Sequence, residues 1–153
     1  MVYDPRYNTK VFLTDATKGI QNANILKDDG VTQATWIVHF SQPPYPIERV
    51  FKGTKNVDIV FSIGMPNSEP LFGGSNTPYG YREEVPIEIS CIKKQGIDGN
   101  KLLWNGIAEL RRIIENNPKG SLRTLGRMTD TTVGGSTIIH GVRVVLDYER
   151  GIT

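Results

Sequence analysis

Cys91, His39 and His140 are the side chains of this 153-residue chain best suited to bond-making chemistry, and none stands in a spacing that chemistry uses. A cysteine nucleophile needs a base beside it and a turn that exposes it. Cys91 sits in the apolar run VPIEISCI with no Gly-rich turn next to it, so a buried, inert thiol is expected. The two histidines fall in strand-like runs with no HxH, HExxH or CxxC pattern to gather metal ligands, and structural roles are expected of both. Gly73-Gly74-Ser75 and Gly134-Gly135-Ser136 look like pieces of phosphate loops, but no Gly-Lys-Ser/Thr comes after either, and both read as turns. Asp28-Asp29-Gly30 lacks the later ligand positions of a calcium loop and reads as a solvated turn. The sequence thus predicts no catalytic activity, no metal and no cofactor.

Lys119, Arg123 and Arg127 are a different kind of candidate, spaced around a connector without a regular facing. They suit phosphate contact, solubilising charge, or pairing with acidic groups of a neighbouring subunit. The last ranks above nucleic acid because no aromatic residues interleave with them. A formal net charge of +2 gives no bulk electrostatic case for nucleic acid either.

The elements that would position these residues can be read from periodicity. With 38% hydrophobic and 22% charged residues the chain suits one domain with a real core. No apolar run reaches the roughly 18–20 residues of a membrane span. The polar opening MVYDPRYNTK has no signal-peptide centre, so a cytosolic protein is expected. Leu102–Asn117 predicts an amphipathic helix of about 24 Å at ~1.5 Å per residue. Its Leu103, Ile107, Leu110 and Ile114 make the buried stripe, and Glu109, Arg111, Arg112 and Glu115 fill other faces. Asp98 or Asn100 can cap its start, and Asn117-Pro118 ends it.

Strands are predicted at Thr35–Phe40, around Val57–Ile63, at Val85–Ile92, near Arg127–Val133 and at Val142–Tyr148, the last with a bulge at Gly141. Pro86 suits an edge position or a strand start. Residues Met1–Gly30 stay open: Val11–Leu13 as a short strand, then Thr14-Asp15 capping a helix that aligns Ala16, Ile20 and Ala23. Pro43–Pro46 reads as a stiff connector. The result is an α+β fold, a mixed, mostly antiparallel sheet packed on one major α-helix.

Met65–Arg82, MPNSEPLFGGSNTPYGYR, reads as a long loop or extended hairpin arm whose prolines and glycines keep it out of the core sheet. Either it is a mobile surface loop or it orders on a partner. Leu71, Phe72, Tyr79 and Tyr81 favour the partner, because apolar side chains are costly to leave wet.

The succession PIEISCIKK, a Gly turn, LLWNGIAELRRIIENN, a basic connector and GVRVVLDYER resembles the tail terminator (tail completion, head-tail joining) proteins of tailed viruses. The resemblance spans roughly Glu84 to Arg150. Such proteins are small α+β domains that often open with a well-formed helix, which Met1–Gly30 does not plainly supply. The resemblance implies a homo-oligomeric ring, usually a hexamer, on the tail tube protein. That ring would stop tube polymerisation and meet the head-tail connector protein, with DNA only passing through. It further implies a virion protein assembled in the host cytoplasm. The candidate interaction residues, read from their own types and placement, are Leu71, Phe72, Tyr79, Tyr81, Lys119, Arg123 and Arg127. The alternative is a small intracellular protein- or nucleic-acid-binding module without catalytic activity.

Overall fold

The computed structural model describes residues 4–40, 51, 57–92, 100–116, 120–124, 129–133 and 137–151. Its first element corrects the strand expected near the N-terminus. Residues Pro5–Thr14 form α1, a helix that takes in Val11–Leu13. Asp4 caps it by accepting the Arg6 N–H at 2.9 Å, and Pro5 supplies the fixed φ that suits a first turn. Thr9 and Leu13, four residues apart, are its buried positions, so a helical face rather than a strand alternation carries the burial. Asp15 does act as a cap, accepting from the N–H groups of Thr17 and Lys18, but the element it caps is a turn and no helix. The chain then passes through a short 3-10 helix, Asn22–Asn24.

The strands are β1 (Trp36–Phe40), β2 (Ile59–Ile63), β3 (Asn67–Leu71), β4 (Gly80–Ile92), β5 (Gly120–Thr124), β6 (Thr129–Val133) and β7 (Thr137–Gly151). A second helix, α2 (Asn100–Glu115), lies between β4 and β5. The sheet runs β1-β2-β4-β7-β5, with β3 also paired to β4 and β6 to β7. β1 is parallel to β2, and the other pairs are antiparallel. This is the α+β fold expected, a mixed and mostly antiparallel sheet with one long helix packed on it.

The long pair β4–β7 is the spine, in unbroken register from Gly80↔Gly151 to Ile92↔Ile139. That continuity passes through Gly141, so no bulge interrupts the ladder there. On its flanks two shorter strands share each lane: β2 then β3 along β4, and β6 then β5 along β7. Pro86 sits where β2 gives way to β3, and its carbonyl accepts the Gly64 N–H at 2.8 Å. It lies inside a central strand, at a gap between two neighbours, where a missing N–H does least harm to the ladder.

The core lies between sheet and helices. Ile59, Phe61 and Ile63 of β2, with Val85, Ile87, Ile89 and Cys91 of β4, meet Leu102, Leu103, Ile107, Leu110, Ile113 and Ile114 of α2 and Leu13 of α1. The helix comes close to the sheet at Gly106, where an added Cβ would stand 3.0 Å from Ile59 Cδ1 and 3.3 Å from Ile89 Cγ2. All five residues of β2 are buried, because Val57 and Val60 form a second cluster with Ile37 and Phe51 on its other face. Both faces of β2 are therefore covered. Asp98, Asn117-Pro118, Pro43–Pro46 and the Gly134-Gly135-Ser136 turn lie outside the described residues, and Asn100 is the first residue of α2.

Candidate assembly surface

The segment Met65–Arg82 is built into the sheet, contrary to the expectation that its prolines and glycines keep it out. Asn67–Leu71 pairs with Gly80–Glu84 in full register, and the same stretch of β4 pairs with β7 on its other side. Proline does not prevent this because β3 is an outer strand, where a missing N–H can face away from the ladder. Four of the five β3 residues are exposed. The hairpin closes where the Tyr79 N–H donates to the Leu71 carbonyl at 2.9 Å.

Of the four apolar arm residues, Leu71 and Tyr81 are half-buried at the base of the tip, while Phe72 and Tyr79 are 54% and 58% exposed. The Tyr79 ring stands beside Gly73, so close that a Cβ there would touch it at 3.4 Å. Below the tip, the Ser68 hydroxyl donates to the carboxylate of Glu83, which is fully buried. Arg82 and Glu149 face each other across β4 and β7 at 3.6 Å. The arm is thus a sheet extension carrying two wet aromatic rings.

Of the three basic candidates, Arg123 alone falls among the described residues. Arg123 is a residue of β5, opposite Val145 of β7, because Gly120–Thr124 pairs as a strand in place of the expected connector. Lys119 and Arg127 lie outside the described residues.

The chemical candidates fall in different surroundings. Cys91 is fully buried, and burial, helped by the carboxylates of Asp28 and Asp58, pushes its thiol far above the usual range. It stays a protonated core thiol at neutral pH, although the register does place His140 opposite it. His39 Nε2 lies 2.6 Å from Ser62 Oγ, a pairing that needs the parallel β1–β2 register and so is not readable from either strand alone. Partial burial lowers the His39 pKa, with a backbone hydrogen bond at Phe40 opposing and the charge of Lys10 adding to the effect. A neutral imidazole held by a buried hydroxyl satisfies both groups, and no carboxylate bonds the other ring nitrogen among the described contacts. Asp29 organises the turn as expected, accepting from the N–H groups of Val31 and Thr32 at 2.8 Å each. Among the described residues no three His, Cys, Asp or Glu side chains are grouped to hold a metal, and no helix is long and apolar enough to cross a membrane.

One surface is not expected from the sequence. Segment Gly19–Asp28 runs along α2, and between them lies an open groove of about 380 Å³ that includes Leu26, Lys101, Asn105 and the 55% exposed Trp104. Trp104 falls off the apolar stripe, which is the signal the sequence offers for it. No model of a known protein family matches the chain, and a comparison with curated proteins gives no match.

Proposed function

We propose that the protein is a virion-assembly subunit of the tail terminator kind. In this reading it forms a ring, hexameric as is usual for such proteins, at the head-proximal end of a viral tail tube. The ring ends tube polymerisation and joins the head connector. Its partners are further copies of itself, the tail tube protein and the connector, with DNA only passing through, and it is assembled in the host cytoplasm.

The observation that carries the reading is the arm. A hairpin arm whose base is fixed by pairing of β3 with β4, and of β4 with β7, presents Phe72 and Tyr79 at its tip to water, which a solitary subunit has no reason to do. Burying two such rings contributes roughly 3–6 kcal/mol per contact before ordering costs are subtracted, and a ring repeats the contact at every subunit. The opening helix α1 and the single-sheet α+β layer also agree with what the resemblance implies.

The test is to purify the full chain, image it by negative stain, and repeat with Phe72 and Tyr79 both changed to Ser. Rings from the parent and monomers of unchanged unfolding midpoint from the variant are expected. Monomers from both, or rings from both, would reject the reading of the arm.

A further inference from the structure

Phe72 and Tyr79 at the tip of the arm, and Trp104 on the wall of the groove beside α2, are each more than half exposed. The tip projects beyond the ladder, since β3 ends at Leu71 and β4 begins at Gly80. The groove is concave. One projecting and one receiving apolar feature on the same subunit are the two halves of a contact between copies.

The two features lie at opposite ends of the sheet. One wall of the groove, from Leu26 to Gly30, leads through Ala34, whose N–H donates to the Ile25 carbonyl at 2.8 Å, into the start of β1. Trp36 there stands level with Ile59, and Ile59 with Cys91 near the far end of β4. The other wall is the first turns of α2, whose Gly106 packs on Ile59 and Ile89 at the same level. Eleven residues of β4 separate Gly80 from Cys91, about 36 Å at ~3.3 Å each. Residues 72–79, anchored at both ends beside Gly80, span no such distance, so the tip cannot enter the groove of its own subunit.

Charge selects the kind of occupant. Lys101 Nζ donates to the Asp28 carbonyl at 3.5 Å, and Lys27 pairs with Asp58 at 3.7 Å. Asp29 accepts from the N–H groups of Val31 and Thr32, and Asp28 is engaged as well. With these charges satisfied inside the subunit, the Trp104 ring and the half-buried Leu26 are what the groove presents, and a charged occupant would have to be desolvated without compensation. Residues 72–79 read FGGSNTPY and carry no charge.

We propose that Phe72 and Tyr79 of one copy dock in the groove of the next, against Trp104. The proposal rests on the ring reading above and names the surface that receives the arm. At about 380 Å³ the groove is of the smaller pocket size, suited to a ring or two and too small for a folded element. Aromatic rings that meet offset or edge-to-face gain more than their burial alone supplies. Tip and groove are different surfaces, so the contact is heterologous and each copy carries both halves of it, as a ring requires.

The test is sedimentation velocity on the full chain, on Trp104→Ser and on the variant with Phe72→Ser and Tyr79→Ser together. Each variant alone should assemble on the order of tenfold or more weakly than the parent, with an unfolding midpoint that shows it folded. Mixed, the first supplies a tip and the second a groove, and a one-to-one dimer that grows no further should form. In the parent, acrylamide quenching of tryptophan emission should fall on assembly as Trp104 is covered, and this decides the matter if Trp104→Ser does not fold. Rings from Trp104→Ser as readily as from the parent, or two impaired variants that do not pair on mixing, would overturn the tip-in-groove contact and leave the ring reading standing. Unchanged quenching in assembled parent would overturn it as well. A parent that stays monomeric at every concentration would overturn both.

Discussion

The main-chain N–H of Gln21 donates to Oε2 of Glu109 at 3.2 Å, joining a turn near the N-terminus to the middle of α2. The helical period puts Glu109 off the buried stripe, yet it is 2% exposed. The reason is the segment laid over it. Lys101, Asn105, Glu109 and Arg112, spaced four, four and three along the helix, bond in turn to the Asp28 carbonyl, the Leu26 carbonyl, the Gln21 N–H and the Gly19 carbonyl. One stripe of helix side chains holds an antiparallel main-chain strap, and Arg112 also pairs with the Glu109 carboxylate.

Arg112→Ala should therefore cost about 1–3 kcal/mol, since it strips a buried carboxylate of its cation and the Gly19 carbonyl of its donor. Arg111→Ala, one residue away and exposed, should stay within about 0.5 kcal/mol of the parent. Urea unfolding of the two variants decides, and equal midpoints would mean the strap contributes nothing.

Leu110→Ala should cost about 2–5 kcal/mol, because Leu110 is fully buried in the packed core between α2 and the sheet. The same denaturant series measures it. A loss no larger than that of Arg111→Ala would contradict the packing of this helix.

Gly19→Ala should destabilise by about 1–3 kcal/mol through overpacking. Its Cβ would lie 2.4 Å from the Leu13 carbonyl oxygen and 2.6 Å from that of Asp15, both main-chain atoms with little room to retreat. Thermal unfolding that shows no loss would refute the tight turn at the end of α1.

Asp29 gives a pH dependence with a definite sign. The Thr32 hydroxyl first, then the N–H groups of Val31 and Thr32, hold its carboxyl down from the ordinary value of 3.8 to about 2. Its stabilising effect is complete above the ordinary value and is lost as pH falls through about 2, when the native carboxylate takes up a proton. A carbon-detected NMR titration should place the Asp29 midpoint near 2, and a midpoint near the ordinary 3.8 would show the turn unformed.

Much of this fold can be read without coordinates where a single element carries its own period. Leu103, Ile107, Leu110 and Ile114 mark the buried side of α2 because a helix repeats every ~3.6 residues whatever it packs on. The alternation of Val85, Ile87, Ile89 and Cys91 marks the core face of β4 for the same local reason. The turn at Asp29 is equally local. Even the start of α1 is signalled by Asp4-Pro5, a cap and a first-turn proline, although the β-branched and aromatic residues Val11 and Phe12 argue for a strand.

The remainder depends on partners distant in sequence. That Glu109 is dry is due to Gln21, 88 residues away, and that Ser62 holds His39 is due to β1 lying parallel to β2. That Met65–Arg82 forms a paired arm is due to β4 extending past the core along β7, which gives an otherwise poor strand sequence a ladder to join. Periodicity specifies which face of an element is apolar. Which main chain or carboxylate comes to lie on its polar face is decided by loop closure and strand register, free energies shared among many residues and legible in no one stretch of them.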